Sequence, residues 1–304
     1  MLIIGGPTAS GKSKLAIMLA KIADGEIVSA DSMQIYKHMD IGTAKVTEAE
    51  KQNIPHHMID FIEPYQEYSV AQYREDALKI IEDINSRGKL PIIEGGTGLY
   101  INALIYPLSF GKTYKDEALR KDLKEKAIKY GNDYVHDKLK SVDENAARVI
   151  HKNNLKRVIR AIEIKLLSGK SILDAKDEAQ ASFYRMYAVD YERRALYAKI
   201  NARVEKMFES GLVEEVDSLI NKHGLNFEMQ SMQAIGYKEF KKFYEKKLTL
   251  EQTKELIKKN TRNYAKRQLT WFKRYEHCVW LNEENINESF CQKIIEDYYE
   301  NTVN

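Results

Sequence analysis

The first thirteen residues limit this chain more than any other stretch. Gly6-Pro7-Thr8-Ala9-Ser10-Gly11-Lys12-Ser13 fits the pattern Gly-x4-Gly-Lys-Ser/Thr in full and follows directly on the apolar run Met1-Leu2-Ile3-Ile4-Gly5. Glycines allow a tight turn in which successive backbone N–H groups point at phosphate oxygens. Lys12 adds a cation, and Ser13 opens a helix while offering its hydroxyl to Mg²⁺. The context agrees, because Leu15, Ile17, Met18, Leu19 and Ile22 give the next segment the spacing of a buried helix. A strand, a phosphate loop and a helix in that order open an α/β fold with a parallel sheet. The motif does not say whose phosphate is held.

The rest of the chain divides by texture. All five prolines and nine of the fifteen glycines precede residue 108, and the stretch beyond is long, charged and nearly free of breakers. The first third therefore reads as α/β and the remainder as mainly helical. Strands are expected at 26–30, ending at Asp31, and at 90–94, delivering Gly95-Gly96-Thr97-Gly98; a helix fills 69–87. In an open parallel sheet the carboxyl ends of strands line the ligand crevice, so Asp31 and the second glycine-rich turn belong beside the phosphate loop. Lysine-rich amphipathic segments at 116–130, 133–139 and 153–167 precede a strand at 185–190 that returns to the sheet. The expected organisation is a P-loop NTPase-like core, residues 1–112 and 183–304, carrying a helical insertion at 113–182. A last strand at 278–281 and a closing surface helix complete the core.

A net charge of +3, from 48 basic and 45 acidic residues, does not by itself imply nucleic acid. Cys278 and Cys291 lack histidines at zinc-ligand spacing and read as reduced thiols. No apolar run approaches the ~20 residues of a membrane span, and no charged-then-apolar leader opens the chain. A soluble, cytoplasmic monomer is expected.

Several residues carry candidate chemistry. Asp31 could hold Mg²⁺ as in a kinase or ATPase, act as general base toward an acceptor amine or hydroxyl, or merely cap a helix. Ser32 and Gln34 beside it could read a base edge. Pro55-His56-His57 is expected in a loop, where packing explains it better than metal binding. Within 254–274, Ile257, Tyr264 and Trp271 form an expected buried stripe. Lys258, Arg262, Lys266 and Lys273 form a separate basic ridge that suits either a phosphate backbone or plain solvation. Lys156, Arg157 and Arg160 make a second basic patch with the same ambiguity.

Taken together, Gly6–Ser13, Ser29-Ala30-Asp31-Ser32-Met33-Gln34-Ile35-Tyr36, Asp40-Ile41-Gly42-Thr43-Ala44-Lys45, Pro55-His56-His57, Gly95-Gly96-Thr97-Gly98-Leu99-Tyr100, Ala234-Ile235-Gly236-Tyr237 and the stretch Thr261 to Phe272 resemble the bacterial tRNA dimethylallyltransferases, the IPP transferase family. The likeness spans nearly the whole chain. Its departures are slight: Ser13 stands where threonine is common, and the first strand must be brief. The resemblance implies transfer of a dimethylallyl group from its diphosphate to N6 of the adenine 3′ to the anticodon, in tRNAs reading U-initial codons. The partner would be the anticodon stem-loop. It implies that the loop from Gly6 to Ser13 grips an allylic diphosphate with Mg²⁺ on Ser13, and that Arg203 assists the leaving group. Asp31 and Thr97 would be catalytic, with Asp31 as base. Contacts to tRNA would come from Asp31, Ser32, Met33, Gln34, Thr97, Arg120, Lys156, Arg157 and Arg160. A relative acting on free AMP or ATP, or a P-loop small-molecule kinase, are the alternative readings.

Overall fold

Short apolar runs that end on glycine or a polar residue are the mark of parallel strands buried on both faces. In the computed structural model, which describes residues 1–106, 116–174 and 183–301, β1 (Leu2–Gly5) enters the phosphate loop and α1 (Lys12–Ile22) leaves it. Next come β2 (Gly25–Ser29), a one-turn α2 (Glu48–Lys51), a two-residue β3 (His56–His57), α3 (Val70–Ser86) and β4 (Leu90–Gly95). A helix not foreseen from the sequence, α4 (Gly98–Ile105), starts directly after the second glycine-rich turn. Beyond it lie α5 (Glu117–Val142), α6 (Glu144–Val149) and α7 (Leu155–Ser168). The chain returns as β5 (Arg185–Asp190) and continues through α8 (Arg193–Glu209), α9 (Leu212–Asn221), α10 (Phe240–Tyr244) and α11 (Leu250–Phe272). It closes with β6 (Cys278–Asn282) and α12 (Glu288–Glu300).

The six strands form one parallel sheet in the order β3-β2-β4-β1-β5-β6. Successive side chains point to opposite faces, so Ile3, Val28 and Ile93 pack with Tyr73, Leu104 and Phe272. Leu2, Ile4, Ile27 and Ile92 instead meet Leu15, Leu19 and Ile294. All parallel strands end at the same edge. The phosphate loop, Asp31 and the turn after β4 therefore emerge side by side at the carboxyl ends.

The chain separates into two compact units, Met1–Ile105 with Ser182–Asn304, and Tyr106–Ala181. The expected junctions at 112–113 and at 182 fall outside the described residues. The second unit has its own core of Leu123, Val135, Leu139, Val158 and Ile162. Its α5 breaks at Gly131 (φ 86°, ψ 167°), where the sequence separates two helices. Inside this unit Glu163, fully buried, is neutralised by the Arg120 fork at 2.8 Å on both oxygens and by Arg160.

Two expectations are corrected. His56 and His57 are an edge strand and not a loop: they pair with Ile27 and Val28, and His57 Nε2 lies 2.8 Å from Glu26. The basic ridge expected along 254–274 is only half present: Lys266 and Lys273 are exposed, but Lys258 and Arg262 are engaged within the chain. Lys258 is 9% exposed and ion-paired with Glu205 and Glu255, while Arg262 donates to Asn201 at 2.6 Å. Burying a cation requires an anionic partner, and α8 supplies one.

Candidate active site

The phosphate loop turns through three left-handed residues, Gly6 (φ 142°), Ala9 (φ 64°) and Gly11 (φ 75°). Gly11 caps α1 without a side-chain hydrogen bond, and no acidic residue occupies the first turn. The first N–H groups of α1, with the positive end of its dipole, therefore present an anion site. Lys12 and Ser13 complete it. Ser13 donates its hydroxyl to Glu94 Oε1 at 3.1 Å, and Lys12 Nζ lies 3.8 Å from the same oxygen. Burial pushes the Glu94 carboxyl above its ordinary range, against the pull of Lys12 and Ser13.

The loop forms one wall of a cavity of about 720 Å³, lined from Thr8 through Lys14 and from Asp31 through Gln34, and by Arg203 and Tyr264. Apolar side chains, among them Met18, Val46, Met207 and Ile235, cover another part of the wall. Arg203, from α8, reaches the loop and donates to Thr8 Oγ1 at 3.1 Å. Burial lowers its pKa, countered by the nearby charges of Asp31, Glu94 and Glu50.

Asp31 closes a local turn, with Oδ1 accepting from the N–H groups of Met33 (2.9 Å) and Gln34 (3.4 Å). That fixes the carboxylate plane and leaves Oδ2 outside these bonds. Thr97 is not among the lining residues. It is half-buried next to them, where its Oγ1 accepts the Ser32 N–H at 3.1 Å and its own N–H reaches Ala30 O at 3.1 Å. Gln34 donates its amide to the carbonyls of Thr43 and Ala44 at 3.3 and 3.4 Å. Burial and the Asp31 charge push the Tyr264 hydroxyl up to about 12, so it stays protonated.

The comparisons with known proteins agree with one another. Residues 34–275 match the family described as IPP transferase. The chain belongs to the IPP transferase family. A curated relative from Acetivibrio thermocellus, named tRNA dimethylallyltransferase, is 48% identical over 305 residues, covering 98% of this chain and 96% of its own. Another of the same name from Caldanaerobacter subterraneus is 50% identical over 92% of this chain and 91% of its own. Among solved structures, a tRNA isopentenylpyrophosphate transferase from Bacillus halodurans superposes with a TM-score of 0.73 at 41% identity, covering 98% of this chain and 95% of its own. A eukaryotic dimethylallyltransferase acting on tRNA gives 0.84 at 29% identity, over 99% of this chain and 79% of its own.

In this member of the family the expected residues fall into three places. Thr8 to Ser13, Asp31 to Gln34 and Arg203 converge on the cavity, with Thr97 against Ser32 at its edge, whereas Gly6 and Pro7 are buried outside the lining. Arg120, Lys156, Arg157 and Arg160 belong to the second unit, where Arg120 and Arg160 serve Glu163 while Lys156 and Arg157 are exposed. The sequence reading missed Glu94 and Gln268. Gln268, 4% exposed, joins the two glycine-rich turns: it accepts Thr8 N–H at 2.9 Å and donates to Gly96 O at 3.0 Å. Each left a signal, Glu94 as a charge at the end of an apolar strand and Gln268 as a polar residue on the seam of Ala265 and Phe272. The expected stripe is displaced accordingly. Tyr264 and Trp271 are half-buried, and the buried seam runs through Ile257, Ala265, Gln268 and Phe272.

Proposed function

We propose that this protein transfers a dimethylallyl group from dimethylallyl diphosphate to N6 of the adenine 3′ to the anticodon, position 37, in tRNAs reading U-initial codons. One observation carries the reading. In a chain whose relatives bear that name, a single cavity joins a phosphate loop and a guanidinium to a fixed carboxylate with polar neighbours. The loop amides, Lys12 and Arg203 would hold the diphosphate, and the apolar wall the five-carbon tail. As the N6 lone pair forms the bond to C1 of the donor, the C1–O bond breaks and its electron pair leaves on the diphosphate. Positive charge at the loop stabilises that anion. The N6 amine is a poor nucleophile because its lone pair is delocalised into the ring. Removal of its proton by Asp31 Oδ2 as the C–N bond forms offsets this weakness. The target adenine must leave the anticodon-loop stack to reach the carboxylate.

The Ser13 hydroxyl, 3.1 Å from Glu94 Oε1 at the start of α1, is a hard oxygen donor that fits Mg²⁺ beside the phosphate loop. When bound there, the ion would supply further charge neutralisation of the diphosphate. No helix among the described residues is long and apolar enough to cross a membrane, and a cytoplasmic, monomeric enzyme is the reading we adopt.

The test incubates the purified protein with labelled dimethylallyl diphosphate and Mg²⁺, offering unmodified tRNA, AMP or ATP separately. Label is expected in tRNA; label in AMP alone, or ATP hydrolysis without transfer, overturns the reading. Asp31→Ala should lower turnover by about 10²–10⁴-fold with tRNA affinity nearly intact. Arg203→Ala should chiefly damage donor binding and turnover, and an effect confined to tRNA affinity would reassign it.

A further inference from the structure

Asp40, Ile41, Gly42 and Tyr237 supply no group to the transfer step itself, yet they meet on one carboxylate. Glu215, on α9, accepts the backbone N–H groups of Asp40 and Ile41 at 2.8 Å each and of Gly42 at 3.0 Å. The Tyr237 hydroxyl donates to it as well, at 2.7 Å. Three consecutive amides aimed at one anion form a nest, filled here from within the chain. The fit is close: a Cβ on Gly42 would lie 2.4 Å from Tyr237 Cζ, so only glycine lets the loop rest on that ring. On the far side of the loop Lys45, its side chain 5% exposed, donates to Tyr36 O at 2.8 Å and pairs with Asp40 and Asp60.

The clamped loop presents a pair of carbonyls to the cavity. Thr43 O and Ala44 O accept the Gln34 amide, and Ala44 O also lies 3.5 Å from Arg203 Nη2. One short loop therefore holds two side chains that line the cavity, a guanidinium that reaches the phosphate loop and an amide that follows Asp31 in the chain.

We propose that Glu215 is a positioning residue for both substrates: it fixes loop 40–44 so that Arg203 faces the diphosphate and Gln34 faces the acceptor base, and touches neither. This rests on the prenyl-transfer reading. The charge matters as well as the shape. A glutamine in its place has one acceptor oxygen and turns an N–H₂ toward amides that need acceptors. An aspartate keeps the charge but is one methylene short.

Steady-state kinetics of Glu215→Gln beside wild type tests this. KM should rise about ten-fold for both allylic diphosphate and tRNA, with a smaller fall in kcat, and Glu215→Asp should recover part of the loss. On a Gln34→Ala background the tRNA effect of Glu215→Gln should shrink to about two-fold or less, because the two act through one loop. A purely structural role would reduce the active fraction and leave both KM values at wild type. That outcome, or additive effects in the double variant, overturns the proposal. Should Glu215→Gln fail to fold, Tyr237→Phe keeps the carboxylate and removes one donor; it should raise both KM values about two- to three-fold, and unchanged values refute the idea. Should wild type transfer no label, the functional reading fails by itself. Amide exchange then decides the clamp: it should quicken at Asp40, Ile41 and Gly42 in Glu215→Gln or Tyr237→Phe, and unchanged exchange refutes it.

Discussion

Replacing Gln268 by leucine separates two roles for a buried amide, strap and filler. The side chain is 4% exposed, accepts the Thr8 N–H at 2.9 Å and donates to Gly96 O at 3.0 Å. A Cβ on Gly96 would stand 2.1 Å from Gln268 Nε2, so the turn and α11 are in close contact on the Gly96 side of the amide. Leucine keeps nearly the same volume. The change therefore deletes two hydrogen bonds, about 0.5–1.5 kcal/mol each, and leaves the Gly96 carbonyl buried without its partner for about 1–3 kcal/mol more. Thr8 borders the cavity, where water can replace the lost acceptor and reduces its share. The expected destabilisation is about 2–4 kcal/mol. In urea the midpoint should fall with the m-value unchanged. Because Arg203 also anchors on Thr8 at 3.1 Å, KM for the allylic diphosphate should rise more than KM for tRNA. A stability within about 0.5 kcal/mol of wild type together with an unaltered donor KM would refute the strap.

Buried carboxylates lead to two more expected outcomes. The Arg87 hydrogen bond, with help from His57, holds Glu26 down to about 2 from an ordinary 4.5. A depressed folded pKa stabilises above the unfolded value, so this contribution should be complete near neutrality and lost as pH falls from about 4.5 to about 2. Arg87 is about 40% exposed, and solvent screening reduces the full linkage value to about 1–2 kcal/mol. Urea midpoints measured from pH 6 to pH 3 should show a shallower acid loss in Glu26→Gln, and identical slopes would contradict the assignment. In the second unit, Glu163→Ala removes the carboxylate shared by Arg120 and Arg160. Breaking such a buried group costs about 3–5 kcal/mol, here near the lower end because both guanidiniums can turn toward water. Calorimetry with limited proteolysis of residues 116–174 should detect the loss, and a variant as resistant as wild type would show that the pair is dispensable.

The sequence by itself determined what neighbouring residues decide together. The phosphate loop, the strand that leads to Asp31, the strand that carries Glu94, the break at Gly131 and the returning strand Arg185–Asp190 all come from local backbone preferences and hydrophobic period. Only the tertiary structure decided which polar side chains line the cavity and which are tied to carboxylates far along the chain. Lys258 and Arg120 look alike in sequence to any solvated or RNA-facing cation, yet each has a carboxylate partner on a distant helix, Glu205 and Glu163. Gln268 meets Thr8 across 260 residues, and Glu215 meets Gly42 across 173. A charge pattern states how strongly a side chain prefers water. It does not state which partner can replace that water, because the partner is brought in by folding at separations no local pattern records.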